Sequence, residues 1–323
     1  MIMRLFALMI LATMALCPVK TMANGLVGDV NGNRTVDVED VTNLIEYVLN
    51  PESECAGTIE VDGVSGVDIG DVIALIELVL NPSPKMTFVV NGQFFSLLPV
   101  EGGTYKMGSR DADAMEIEGP VHSVTLSSFF MGETEVTQAL WKAVMNNNPS
   151  TYKGDRLPVH KVTWDNCQKF ISKLNELTGF EFRMPTEAEW EFAARGGNLS
   201  HGYKYAGSNN IDEVAWYTAN ANSKPNEVAA KLPNELGLFD MSGNVKEWCS
   251  DYFAGYPSLP QTDPTGPAEE DVTFKSRVNR GGAYIYADTG CRVTARSDLQ
   301  QTNSAASIGL RLVLPASQVN RAE

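Results

Sequence analysis

Histidine, cysteine and positive charge are all scarce in this chain. The 323 residues include three histidines, His122, His160 and His201, and none are spaced as paired metal ligands. There is no HExxH, no GxSxG elbow, no GxxxxGK[ST] and no dinucleotide fingerprint. The common zinc-hydrolase, serine-hydrolase, P-loop and Rossmann chemistries are therefore excluded. Lone histidines in such a chain read as surface or structural groups. Lys and Arg number 25 against 40 Asp and Glu, a formal charge of −15. Nucleic-acid binding needs a basic face, so no nucleic-acid partner is expected, and anionic membrane surfaces are disfavoured likewise. Divalent cations are the partners that so much carboxylate permits. The five cysteines are widely and irregularly spaced and form no CxxC.

The opening residues, MIMRLFALMILATMALC, set one arginine before an apolar run, and Thr21-Met22-Ala23 supplies small residues at signal-peptidase spacing. Residues 1–23 read as a secretory signal, so the mature protein is expected to be secreted or extracytoplasmic, with no membrane insertion. The alternative, a membrane anchor, meets the objection that the run is short for a span. Leu16 before Cys17 is too large for the usual lipoprotein cleavage site. Cys55, Cys167, Cys249 and Cys291 remain, with three full pairings open to them in an oxidising compartment. In WDNCQKFISKLNEL, Cys167 shares one helical face with Phe170, Ile171 and Leu174 and reads as a buried small hydrophobe.

Residues 24–84 contain a duplication. GDVNGNRTVDVEDVTNLIEYVLN and IEVDGVSGVDIGDVIALIELVLN each run from a polar loop into a helix, and the segment carries 12 acidic side chains against one basic, Arg34. In the first loop Asp29, Asn31, Asn33, Thr35, Asp37 and Asp40 occupy positions 1, 3, 5, 7, 9 and 12. Calcium takes six to eight oxygens, and this alternation turns every second residue inward, with Thr35 offering its carbonyl. The second loop has Glu60, Asp62, Asp68 and Asp71 at the matching positions and Gly66 at the carbonyl position. Val64 breaks the pattern, so that site is expected to be weaker or empty. Leu44, Ile45, Val48, Leu75, Ile76 and Val79 form apolar helix faces expected to pack on each other. The segment resembles a type I dockerin, a small all-α calcium-binding module. That resemblance implies docking onto a cohesin-like protein through residues 24–84. Asn81-Pro82-Ser83-Pro84 reads as a stiff linker.

Residues 85–323 form the second predicted domain. MTFVVNGQFFSLLPVEGGTYKMGS reads as short strands joined by Asn-Gly and Gly-Gly turns. Helices are expected from Glu135 to about Met145, from Trp164 to about Thr178, and from Pro185 onward. In the third, Thr186 and Glu189 make a capping box and Gly196-Gly197 ends the helix. The rest is loop-rich with little periodicity, which predicts an irregular α+β domain. The phrases FFMGETEVTQALWKAVM, LPVHKVTWDNCQKF, FRMPTEAEWEFAARGG, NELGLFDMSGNVKEW, RVNRGGAY and IGLRL occur in that order. Together they resemble the sulfatase-modifying-factor family, founded on formylglycine-generating enzymes. The resemblance implies an irregular relative of the C-type lectin fold with two structural calcium ions. One ion would be held by the Asp240 and Glu247 side chains and the Gly243 and Val245 carbonyls. Asn220 is a candidate for the other.

Formylglycine-generating members hold copper(I) between two cysteines, since paired soft thiolates select that ion. Here the matching positions are Tyr286 and Cys291, so copper is not expected. Ala283 replaces a serine of the family phrase, and Ile308 an asparagine. Cys291 is the one catalytic candidate, and it reads as a retained core or pocket residue. A bond from Cys291 to Cys249 or Cys167 is a further alternative. The leading expectation is a non-catalytic protein whose large domain offers a pocket to a glycan or peptide, with Trp216, Tyr217, Tyr256, Tyr284 and Tyr286 as aromatic candidates. The alternatives are a formylglycine-generating oxidoreductase or another oxidoreductase of the superfamily, and a calcium-dependent structural protein with no small ligand.

Overall fold

The computed structural model describes residues 24–50, 57–62, 64, 66–80 and 85–318. The signal reading of residues 1–23, the linker at 81–84 and Cys55 lie outside the described residues. Those residues divide into two compact units, one reaching residue 80 and one starting at residue 85.

The small unit holds a short extended pair, β1 (Gly25–Leu26), and two twelve-residue helices, α1 (Val38–Leu49) and α2 (Ile69–Leu80). Asp37 caps α1: its side chain accepts Glu39 N–H, and Asp40 reaches back to the Asp37 N–H, satisfying donors a helix start leaves free. The core is Val30, Leu44, Ile59, Val72 and Leu75. Leu44 and Leu75 are fully buried, but Ile45 and Ile76 are 39% and 37% exposed, contrary to the expectation that they pack. A helix turns about 100° per residue, so each sits on the shoulder of the apolar face rather than its centre.

The large unit is mixed α+β. Strands β2 (Met86–Val90), β3 (Gln93–Val100), β6 (Phe129–Gly132) and β12 (Val313–Pro315) lie side by side in that order, all antiparallel. The β2–β3 turn is Asn91-Gly92 with φ of 47° and 77°, the left-handed pair that a two-residue hairpin requires. A second sheet runs β4 (Gly103–Met107), β5 (His122–Leu126), β8 (Gln261–Thr262). The third runs β10 (Arg296–Gln300), β9 (Ser276–Arg280), β7 (Lys246–Tyr252), β11 (Ile308–Gly309), with an irregularity in β7 between Trp248 and Tyr252.

Four helices accompany the sheets: α3 (Gln138–Met145), α4 (Trp164–Thr178), α5 (Glu187–Ala194) and α6 (Ile211–Val214). The expected helix from Glu135 starts three residues late. Val136 N–H is taken by the Leu310 carbonyl, and Thr137 caps Leu140 N–H, so the chain is still extended there. Helix α5 carries the predicted Thr186–Glu189 capping box and is buried along its whole length. Its Trp190 and Phe192 join Met131, Met241, Val278 and Val313 in the main core. Cys167, Phe170, Ile171 and Leu174 are all buried on α4.

Candidate functional site

The loop before each helix of the small unit is built around its twelfth-position aspartate. Asp40 Oδ1 accepts Val30 N–H at 2.8 Å and Asn31 N–H at 3.1 Å, while Oδ2 accepts Asp37 N–H at 2.9 Å. Asp71 repeats this with Val61 N–H at 2.7 Å, Asp62 N–H at 3.2 Å and Asp68 N–H at 2.9 Å. Sequence duplication has therefore become duplicated backbone geometry. At the first position Asp29 Oδ2 accepts Arg34 N–H, and Glu60 Oε2 accepts Gly66 N–H. The other oxygen of each, Asp29 Oδ1 and Glu60 Oε1, is buried with no hydrogen-bond donor among the described residues. Burial raises both carboxyl pKa values, with repulsion from Asp40 added at Asp29 and from Asp71 and Asp62 at Glu60.

Orphaned anionic oxygens facing further carboxylates fit a hard divalent cation. Asn31, Asn33, Thr35 and Asp37 line the rest of the first loop. There Asn31 Oδ1 accepts Asn33 N–H and Asn33 Oδ1 accepts Thr35 N–H. In the second loop Glu60, Asp62 and Asp71 bring carboxylate oxygens within 4.8 Å of one another. Asp68 stands outside that trio and takes Gly70 N–H.

In the large unit, Asp240 sits on a left-handed backbone (φ 58°). Its Oδ2 accepts Ala229 N–H at 2.7 Å, and its buried Oδ1 has no donor. Burial and the Glu247 charge push its pKa to about 6, against the pull of Arg311. Glu247 is fully engaged: Arg311 donates to both its oxygens, and Trp190 Nε1 donates at 2.7 Å. Gly243 and Val245 lie between the two acids, with Gly243 bridged to Trp216. Glu135 was not identified from the sequence. It is 1% exposed, neither of its oxygens has a donor, and burial next to Asp240 raises its pKa well above the usual range. A single acid in a phrase of otherwise ordinary helix-start composition carried no signal. The unpaired Glu135 and Asp240 oxygens fit a calcium ion; Glu247, already neutralised by Arg311, fits it less well. Asn220 makes a local turn instead, accepting Tyr217 N–H and donating to Asp212 and the Ala215 carbonyl.

Cys291 lies in the short helical turn Asp288–Cys291, fully buried against Tyr205, Val214 and Ala215. Burial pushes its thiol up to about 12, so the thiolate is a trace species at neutral pH. The glycine pair before it is explained by close approach: Gly282 has φ +70°, and a Cβ there would lie 2.5 Å from Gly290 O and 2.7 Å from Cys291 Sγ. Tyr286 is 36% exposed, with Lys246 Nζ 4.1 Å from its ring centroid. Lys246 also donates to Ser297 Oγ at 2.7 Å. Ala283 and Ile308 are buried. Cys167, Cys249 and Cys291 are all buried free thiols, so Cys291 is bonded to neither Cys249 nor Cys167. Of the aromatic candidates, Tyr284 is core, Tyr256 donates to Glu187, and Trp216 and Tyr217 are half-buried. His160 is structural, as expected: buried, its Nε2 accepts from Thr151 and Tyr152 N–H, and burial lowers its pKa.

Residues 90–316, most of the chain, match the description of the sulfatase-modifying factor enzyme 1-like domain. The chain belongs to that family. Among its relatives, a protein of Paenibacillus barcinonensis named chaperone protein LppX is 31% identical over 267 residues, covering 67% of this chain and 88% of the relative. The formylglycine-generating enzyme of Streptomyces coelicolor is 27% identical over 282 residues, covering 65% and 86%. The solved structure of Treponema denticola variable protein 1 superposes with a TM-score of 0.66 at 32% identity, covering 72% of this chain and 99% of that one. PvdO from Pseudomonas aeruginosa, at 22% identity and a TM-score of 0.59, shares the fold. The mixed α+β architecture with curled sheets is thus a family property, consistent with the C-type-lectin-like fold. Among the described residues no helix is long and apolar enough to cross a membrane.

Proposed function

We propose that this chain is a secreted, calcium-binding docking protein whose sulfatase-modifying-factor domain binds a ligand or partner without oxidising it. The observation that carries the reading is the donor set where the family's copper pair would lie. Tyr286 offers a phenol, and Cys291 offers a buried thiol whose proton leaves only near pH 12. Copper(I) needs two accessible soft sulfurs, so the residues present do not fit it and no oxidative step runs through them. A relative named as a chaperone agrees with a domain that engages a partner. The small unit would act as a dockerin-like module for a cohesin-like protein, with calcium on Asp29, Asp40 and their loop neighbours. Calcium supplies charge neutralisation and rigidity there. The glycan or peptide ligand would meet the large unit near Tyr286.

The identity to formylglycine-generating enzymes favours a second reading, an oxidoreductase acting on a sulfatase cysteine. One experiment separates the two: copper(I) titration of the purified protein, then oxygen uptake with a cysteine-containing sulfatase peptide. The docking reading expects no stoichiometric copper and no turnover. Tight copper at one equivalent with peptide-dependent oxygen consumption would overturn it.

A further inference from the structure

A recess of about 430 Å³ opens at the end of β4, well separated in sequence from the Cys291 turn and lined by Lys106, Gly108, Ser109, Arg110, Val121 and Arg195, with Asp111 as its acid. Its floor is built rather than incidental. Gly108 has φ +91°, and a Cβ there would lie 2.4 Å from the Glu118 carbonyl, so only glycine fits without strain. Gly108 N–H donates to Glu191 Oε1 at 2.8 Å, and its carbonyl accepts Arg195 Nη2 at 2.9 Å. Arg195 Nε donates to the same Glu191 oxygen at 2.9 Å. The guanidinium is therefore fixed along one edge, while its Nη1 makes no hydrogen bond to a described residue. Lys106 and Arg110 are exposed, and neither forms an ion pair within the described residues.

The charge balance behind the floor points the same way. Arg195, Arg280 and Arg296 share two carboxylates: Glu191 serves Arg195 and Arg280, while Glu187 takes Arg296 through two bonds of 2.7 and 2.6 Å. Arg280 and Arg296 are 0% and 1% exposed, so of these three arginines Arg195, 24% exposed, is the one that presents its guanidinium to solvent. A fixed, half-satisfied guanidinium beside two unpaired cations is the donor array that oxyanions select.

We infer that this recess binds a single oxyanion, a sulfate, phosphate or carboxylate, carried on an otherwise uncharged small ligand such as a monosubstituted sugar. Screening over about 8–10 Å lets the three local cations dominate inside the recess. Outside it the chain's charge of −15 repels a polyanion. This site is independent of the reading of Tyr286 and Cys291.

The test is calorimetric titration of the full chain at 0.15 M salt. The probes are galactose 6-sulfate, glucose 6-phosphate, glucuronate, the parent sugars, inorganic sulfate and heparin. The same series is run on the Lys106→Gln/Arg110→Gln double variant, whose exposed substitutions are checked by its melting curve. Saturable one-to-one binding of at least one substituted sugar is expected, with at least tenfold loss for its parent sugar and for the double variant. The preferred substituent identifies the source of the oxyanion. No saturation by any monoanionic sugar, undiminished binding by the double variant, or preference for heparin would each overturn the inference.

Discussion

The two units bury carboxylates in opposite ways. In the large unit the buried acids are largely met by arginines of the same chain: Glu118 by Arg292, Glu187 by Arg296, Glu191 by Arg280, Glu247 by Arg311. Among the described residues of the small unit Arg34 is the one basic side chain, and Asp29 and Glu60 each keep a buried oxygen with no donor among them. A domain that supplies its own counter-charge depends less on the medium than one that lacks it. Size sharpens the contrast. Five buried aliphatics form the small core, in the range where metals commonly make up for scant apolar burial. Asp240, Glu135 and Asp251 are the exceptions within the large unit, and the first two are where we propose a calcium ion of its own.

The comparison breaks first at the buried pairs. Arg311→Met strands Glu247 without its cation, and losing one partner of a buried pair costs about 3–5 kcal/mol. Urea unfolding should show that loss with or without a calcium chelator. A loss seen only with chelator would mean that calcium, not Arg311, neutralises Glu247.

Next comes calcium itself. An ion at about 1,000 times its Kd stabilises by about 4 kcal/mol. Chelation should lower the melting transitions of both units, and that of the small unit more, because its core of five buried residues has less apolar burial to fall back on. Asp29→Ala with Asp40→Ala should abolish the calcium-sensitive part; identical calorimetry with and without chelator in the parent protein would contradict the proposed loops.

The pH dependence should have one sign in the small unit and two opposing signs in the large one. Asp29 and Glu60 have raised pKa values when folded without metal. The metal-free small unit therefore binds more protons folded than unfolded, so its stability falls as pH rises from the unfolded carboxyl value through the folded one. Glu118 and Glu191 have lowered values: burial opposes, but Arg292 at the first and Arg280 with Arg195 at the second prevail. Their contribution is present above the unfolded value and is lost as pH falls below it. Asp240, Glu135 and Asp251, all raised by burial, act in the opposite sense; with Asp251 raised to about 7, Asp251→Asn should remove part of a decline in stability between pH 4 and 7. Denaturant midpoints from pH 4 to 8, with chelator, read both signs at once.

Periodic and punctuated features could be read without coordinates. The Thr186–Glu189 capping box, the Asn91-Gly92 hairpin and the buried α4 face are local rules, and the fold kept them. The duplication was legible because two copies repeat each other's polar spacing, and the Asp40 and Asp71 networks are its physical form. What stayed hidden was long-range charge pairing. Glu191 meets Arg280 across 89 positions and Glu118 meets Arg292 across 174, and no short window of sequence brings them together. Glu135 escaped because its significance lies in the partner it lacks. The Lys106–Arg110–Arg195 recess escaped because its cations come from a strand, a loop and a helix end.

The smallest effect belongs to Cys291. Its Sγ is enclosed by Tyr205, Val214 and Ala215 and is hydrogen-bonded by the Ala283 backbone. Cys291→Ala removes one buried atom and opens a small void, a cost of about 1 kcal/mol. Cys291→Ser keeps an acceptor for the Ala283 donor but buries a more polar atom, with a cost of about the same size. A packing residue predicts that both variants lose stability alike while ligand binding is unchanged. A working thiol predicts that they share a large functional loss with little change in melting temperature. Measuring both quantities on both variants decides between those patterns, because burial cannot produce the second and catalysis cannot produce the first.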